Sequence, residues 1–360
     1  MGIFVFKERK NFMKRTVSVF LVVLLACSIF VSASGTNGAG VAEPLPEMRT
    51  VTANGYTLTI LEQVMENGQT VRTYHNPKAN LCQEEATSTM STENKQAKAE
   101  AILTALGMDE QYISDIPEDT LIESADCEQI VTTISHTKRD ADGNVTYLAD
   151  AEMAEVAATL AQKPEDSYEN LYSDEYMTVT HCVYYYGDAL FKFTTNARWR
   201  TMPVWRRTDS IGSCAPDIAI DNDMRNGVIR YTKATYLSGT DTTMVDEVTE
   251  TITDIANVVN GDWYGSAGTF NLPNDYHLAG MSVTYTGFRA YYEYEAYVQY
   301  PGLETYFNSV GTYAHTIINV DLEPSITIGP GKEVSFSIGI STSDAEERRS
   351  AEILLHYVPG

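Results

Sequence analysis

The chain has 360 residues, with 25 Lys+Arg against 49 Asp+Glu and a formal charge of −24. Apolar residues make up 43% and charged residues 21%, a globular composition that excludes disordered, collagen-like, coiled-coil and polytopic membrane classes. So acidic a chain also argues against nucleic acid as a partner, because phosphate neutralisation needs an excess of Lys and Arg.

Residues 1–33 read as a secretory signal peptide. Lys7, Arg9, Lys10, Lys14 and Arg15 form a positive start, an apolar run spans 17–31, and Val31-Ser32-Ala33 offers a small-residue cleavage site. The run is short for an anchor across a hydrocarbon core of roughly 30 Å. Leu24-Leu25-Ala26-Cys27 resembles a bacterial lipobox, so lipid anchoring through Cys27 is the alternative. By either route the processed chain is secreted or held at the cell surface, with no membrane span of its own. Without residues 1–33 it carries 20 Lys+Arg against 48 Asp+Glu, a net −28.

Residues 34–47 are small, Gly- and Pro-containing, and read as a flexible leader. The length suggests two units, and the expected fold class is α+β. A small mixed α/β N-terminal domain over 48–163 precedes a larger antiparallel β-sandwich, jelly-roll-like, over 168–360. In the first unit, strands are predicted at 51–53, 56–60 and 71–74, with Asn67-Gly68 as a hairpin turn. Helices follow at 92–106, 110–116 and 118–124, the first stopped by Gly107. A second hairpin joins 130–134 to 145–147, and a helix from Asp150 to about Gln162 closes the unit. Pro164-Glu165-Asp166-Ser167 is the linker. Beyond it, β-patterned runs are predicted at 176–186, 189–200, 202–208, 228–237, 281–286, 288–299, 312–322, 332–341 and 350–358. In residues 242–259, Met244, Val245, Val248, Ile252, Ile255 and Val259 trace a helical stripe, so a helix is predicted there despite the Thr and Val content.

Four cysteines remain after processing: Cys82, Cys127, Cys182 and Cys214. An oxidising compartment allows two disulfides, most simply Cys82–Cys127 and Cys182–Cys214, and four buried free thiols are the other option. Their spacing matches no zinc site.

No signature of a metalloprotease, serine hydrolase, P-loop or dinucleotide-binding protein is present. The six histidines include no pair three or four residues apart, no catalytic residue stands out, and no cofactor is implied. Calcium is the one metal to test: Asp217, Asp221, Asn222, Asp223, Asn226 and Gly227 gather hard oxygens in an expected turn, though without EF-hand spacing.

Two features remain. Residues 189–208 hold no acid but carry Lys192, Arg198, Arg200, Arg206 and Arg207 beside Trp199 and Trp205. In a strand Arg198 and Arg200 share one face and Trp199 takes the other. Trp199, Arg200, Trp205 and Arg206 are therefore candidate contacts for an anionic or sugar-like ligand. The plainer alternative makes the tryptophans core and pairs the arginines with acids such as Asp209, Asp221 or Asp223. The second feature is aromatic: Tyr184-Tyr185-Tyr186, then Tyr285, Phe288, Tyr291, Tyr292, Tyr294, Tyr297 and Tyr300, which put some tyrosines on a surface if one sheet face is core. Trp263-Tyr264 in a Gly-rich loop adds a further candidate stacking site.

These features favour a non-catalytic binding protein recognising an extracellular glycan, peptide or protein. The alternatives are a pore-forming or membrane-active toxin, drawn from the Thr-rich strands, and an extracellular hydrolase with carboxylates assembled in space.

Overall fold

A computed structural model of the protein describes residues 46–65, 69–77, 90–140, 144–161, 175–201, 203, 206–316, 324–328, 334–338 and 346–357. The signal region with Cys27, the Asn67-Gly68 turn, Cys82, the linker at 164–167 and Trp205 lie outside the described residues.

The protein is mostly antiparallel β structure in two sheets, with few helices. Strands β1 (Glu47–Ala53), β2 (Tyr56–Val64) and β3 (Thr70–His75) open the chain. Helix α1 (Thr92–Ala105) begins where the Ser91 hydroxyl accepts the Asn94 amide, and α2 (Glu110–Asp115) begins where Asp109 accepts the Tyr112 amide. Helix α3 (Glu118–Ser124) starts after Pro117. Strands β4 (Gln129–Arg139) and β5 (Val145–Leu148) and helix α4 (Asp150–Ala161) follow. The remainder is strand: β6 (Glu175–Gly187), β7 (Leu190–Trp199), β8 (Thr208–Pro216), β9 (Ile218–Leu237) and β10 (Thr242–Thr251). Next come β11 (Asp254–Asn260), β12 (Trp263–Asn271), β13 (Tyr276–Leu278), β14 (Met281–Val298) and β15 (Thr305–Thr316). The short pair β16 (Pro324–Ile328) and β17 (Val334–Ile338) precedes β18 (Glu346–Tyr357).

The larger sheet runs β1-β2-β3-β4-β6-β7-β14-β9-β10, with β5 also on β4 and β13 also on β14. The smaller runs β11-β12-β8-β15-β18, and β16–β17 stands as a hairpin. The large sheet crosses the linker: β4 pairs with β6 from Gln129 opposite Tyr185 to Arg139 opposite Glu175.

The central strands explain the layering. On β6, β7 and β14 alternate residues enter different cores. Met177, Val179, Val183, Phe193, Trp199, Tyr292 and Tyr294 face the small sheet, where Ile211, Phe270, Tyr313, Ile353 and Leu355 meet them. Cys182, Tyr184 and Tyr291 face the other way, into a cluster built on Leu103, Tyr112, Ile116 and Leu121 of the helical segment. With both faces covered, Tyr184, Tyr291, Tyr292 and Tyr294 are fully buried. The exposed tyrosine face expected from one-sided burial is therefore not formed by these rings.

Residues 242–259 form two strands, not the expected helix. β10 pairs with β9 from Thr242 opposite Leu237 to Thr251 opposite Val228. β-Branched side chains favour the strand, and the helical-looking spacing divides between an exposed edge and Ile252, buried in the main core where the chain crosses to β11. The 217–227 segment is likewise strand rather than turn: after Asp217 at φ +53°, β9 starts at Ile218. The expected Cys182–Cys214 bridge is absent. Both thiols are free and buried in separate clusters, on the outer face of the large sheet and within the small sheet, and Cys127 is also free.

Polar ties cross between the sheets. His181 Nε2 meets the Ser309 hydroxyl at 2.7 Å, and its Nδ1 meets the Thr194 carbonyl at 2.9 Å. Trp199 Nε1 donates to the Tyr313 hydroxyl at 3.0 Å, Tyr313 donates to Asp209, and His315 Nδ1 lies 2.8 Å from Asp209. The sheets approach closely at Gly311, where an added Cβ would stand 2.6 Å from the His181 ring.

Two outcomes follow. Gly311→Ala overpacks a buried, hydrogen-bonded ring and lowers unfolding free energy in urea by roughly 1–3 kcal/mol. Burial pulls His181 from 6.5 down to about 4, so this neutral ring's contribution is whole above pH 6.5 and is lost as pH falls toward 4, a change of about 3 kcal/mol. Urea midpoints measured between pH 7 and 4 show that loss, and His181→Gln flattens it.

Candidate functional site

The outer face of the large sheet carries a transverse row of cations. Register places Arg198 of β7 opposite Arg289 of β14, and Arg289 opposite Arg230 of β9. The same row continues through Thr178 of β6 to His136 of β4. Three adjacent arginines across a sheet repel one another and need anions near them. Helix α2 supplies these from its two ends. Asp109 at the N-cap accepts Arg198 Nη1 at 2.7 Å and Arg200 Nη2 at 3.3 Å. Asp115, buried at the last turn, accepts Arg230 Nη1 at 2.8 Å and Arg289 Nε at 3.2 Å, with Asn196 Nδ2 at 3.3 Å.

Beside this strap lies a cleft of about 320 Å³ between α2 and α4, floored by β4, β6 and β7. Arg198, Arg200, Asn196, Thr178 and His136 line its floor and Asp150 its far wall. A chain of contacts runs along it. Arg200 Nε donates to the Thr178 hydroxyl at 3.3 Å, which meets His136 Nδ1 at 2.9 Å. His136 Nε2 stands 3.5 Å from Asp150, which pairs with Arg72 at 2.5 Å, and Arg72 pairs with Glu62 at 2.7 Å. Gly107, at φ +89°, closes the wall beside α1; a Cβ there would stand 2.6 Å from Arg72 Nη1.

Around α2, Arg198, Arg200, Arg230 and Arg289 bond Asp109 and Asp115, and the cleft itself is lined by Arg198 and Arg200 together with Asp109, Asp115 and Asp150. Burial disfavours the Arg198 charge, and Arg200 and Arg289 add to that pressure, with Asp109 opposing it. Burial pushes Asp109 up, but the Tyr112 amide and the two guanidiniums outweigh it and hold the carboxyl below the usual range. Asp150 is pulled down to about 2, first by the His136 hydrogen bond and then, against burial, by Arg72. Both carboxylates therefore stay ionised at neutral pH, and Asp109 is the shared partner of Arg198 and Arg200.

The structure separates the residues singled out in the sequence. Arg200 lines the cleft, joined there by Arg198. Trp199, on the opposite parity, is core beneath Tyr313. Arg206 pairs with Asp275 at 2.5 Å and lies over the Phe288 ring. Trp263 and Tyr264 lie at the start of strand β12, not in a loop, and alternation half-buries them against two different clusters. Arg198 and Arg200 take Asp109 as partner, and Asp209 is engaged with Tyr313 and His315 inside. Asp109, Asp115, His136, Arg230 and Arg289 are the residues missed; the one local signal was an Asp in N-cap position before Glu110. In the segment considered for calcium, Asp221 accepts the Asp223 amide and the Asn222 amide group bonds Asn257. Among the described residues no group of three or more His, Cys, Asp or Glu side chains gathers as a metal site.

No family model matches the chain, and no curated protein matches it. Among solved structures, Clostridium perfringens delta-toxin overlaps at a TM-score of 0.20 and 6% identity, over 63% of this chain and 90% of that one. A pore forming protein overlaps at 0.20 and 8%, over 64% of this chain and 96% of that one. Overlaps this loose define neither fold nor activity.

The Asp150 tether gives a test. A carboxyl at 3.8 when unfolded and about 2 when folded stabilises the chain above pH 4, and that contribution is lost as pH falls toward 2. Asp150→Asn removes it, so the variant starts less stable at pH 5 and shows a shallower acid decline in denaturant midpoint.

Proposed function

We propose that the chain is an extracellular binding protein whose outer-face cleft receives an acidic glycan, a carboxylate or sulfate on the sugar meeting Arg198 and Arg200. The observation that carries this reading is the pair Arg198 and Arg200 side by side in the cleft, both held by the single carboxylate of Asp109, in a chain of net −24. Guanidinium forks suit planar and tetrahedral anions, Asn196, Thr178 and Thr180 offer partners for hydroxyl groups, and the volume suits about one sugar unit. The secretory reading of residues 1–33 places the cleft outside the cytoplasm. The finer architecture proposed with it is a jelly-roll-like β-sandwich behind a small α+β unit. It is supported by the core shared between the two sheets and by the helices gathered in the N-terminal half.

The hydrolase reading draws no support from the cleft, because Asp109 and Asp150 are both held down and a general acid needs a carboxyl held up. The membrane-active reading keeps one observation of its own, the exposed Thr- and Val-bearing edge strand β10.

A glycan array with sulfated, sialylated and neutral glycans and acidic peptides, followed by titration calorimetry, tests the proposal. Acidic glycans bind, neutral ones do not, and affinity falls with salt. Arg198→Gln with Arg200→Gln weakens binding at least tenfold, in line with about 1.5–3 kcal/mol for a charge-assisted hydrogen bond. Asp109→Asn keeps the cap, removes the competing anion and tightens binding. A blank array, or binding indifferent to all three substitutions, overturns it; selective binding of acidic peptides transfers the cleft to a peptide partner.

A further inference from the structure

The large sheet ends, beyond Tyr231 and Tyr285, in a four-stranded tip formed by β13, β14, β9 and β10. Register sets out its last rows. The outermost is Leu278–Met281–Leu237–Thr242, followed by His277–Ser282–Tyr236–Thr243, then Tyr276–Val283–Thr235–Met244, then Thr284–Ala234–Val245. No Lys, Arg, Asp or Glu stands in these four rows, although 21% of the chain is charged. Charge returns behind them: Asp275, the residue before β13, bonds the Tyr285 amide and pairs with Arg206, and Lys233 stands opposite Asp246.

Apolar groups are exposed on both faces. Successive rows point to opposite sides of a sheet, so Leu278, Tyr276 and Met244 share one face while Tyr236 and Val245 share the other. Leu278 is 61% exposed and Val245 63%, and Tyr236, Met244 and Tyr276 are exposed too. A folded partner or a second copy covers one face of a sheet. A surrounding medium covers both at once. The uncharged rows span about 10 Å at roughly 3.3 Å per residue, comparable to the depth of a membrane interface, and the tyrosines have the amphipathic rings that sit at such a boundary.

We infer that this tip is a membrane seat, entering the interface of a zwitterionic bilayer with both faces of β13–β14–β9–β10. Asp241, in the turn between β9 and β10 and hydrogen-bonded by the Tyr236 hydroxyl at 3.0 Å, limits the depth. A carboxylate in hydrocarbon is costly, so the tip stays at headgroup level and does not span. The acidic chain and the Asp246 and Glu247 side chains behind the tip oppose anionic lipid. The seat depends neither on the cleft nor on pore formation.

Vesicle flotation of the chain from Ser34 onward, free of the apolar leader, tests the inference. It floats with phosphatidylcholine vesicles, and added phosphatidylserine does not strengthen binding. Leu278→Asp on one face and Val245→Asp on the other each weaken partitioning roughly tenfold; both sites are exposed, and circular dichroism melts confirm folding. Leu278→Gln and Val245→Gln serve if an Asp variant melts early. The inference is overturned by an absence of flotation, by binding that requires anionic lipid, or by variants that float as the parent does. It is also overturned if only one face matters, or if sedimentation without lipid shows self-association that the same variants abolish. Dye release is scored separately, so a failed pore reading does not count against the seat.

Discussion

Alternation along β6, β7 and β14 is the constraint on which the molecule depends. Over β6, β7 and the Phe288–Val298 part of β14 the sheet is covered on both sides, so each strand carries two messages at once: one set of residues packs against the small sheet, and the set between them faces the helices. Phe191, Phe193, Ala197 and Trp199 belong to the first set, and Lys192, Thr194, Asn196 and Arg198 to the second. A slip of one residue in the β6–β7 or β7–β14 register would put Arg198 into the core and Trp199 into the cleft. The same alternation that holds the sheets together therefore presents the polar face on which α2 rests.

The cleft is a consequence of crowding like charges. Arg198, Arg289 and Arg230 are neighbours because three strands far apart in sequence pair at that height, and a short helix with an acid at each end makes the arrangement tolerable. The helix then has two duties, closing the outer-face core through Tyr112 and Ile116 and supplying Asp109 and Asp115. Because Asp109 holds two guanidiniums, it acts as an internal occupant that an incoming anion must compete with.

Local patterns were legible. The helices at 92–105, 110–115 and 118–124 and the helix from Asp150 follow their caps, apolar spacing and breakers, and most strands follow β-branched and aromatic runs. Parity alone separated Arg198 and Arg200 from Trp199. Sheet order was not legible, since β7 finds β14 only through tertiary pairing, and so the row of three arginines could not be read from any one segment. Tyr184 and Tyr291 were misjudged for a related reason: the helices of the N-terminal half cover the face that a two-sheet picture leaves open, whereas Tyr297 and Tyr300 are exposed. At 242–259 an apolar spacing suited to a helix lost to β-branched composition once β9 offered a pairing edge.

The place of β14 between β7 and β9 has a consequence for how the chain comes to be folded. A chain emerging from its N-terminus can join β1 to β7 through neighbouring pairings, but β7 then waits with an open edge while about 80 further residues arrive. β9 and β10 can close a hairpin in that interval and meet β12, yet they join the large sheet only when β14 is inserted between the two halves. Long-range insertion of a middle strand is slow, and an uncovered edge invites pairing with other copies. A chain released before Val298 would therefore be exposed to aggregation even though most of its sequence is already present.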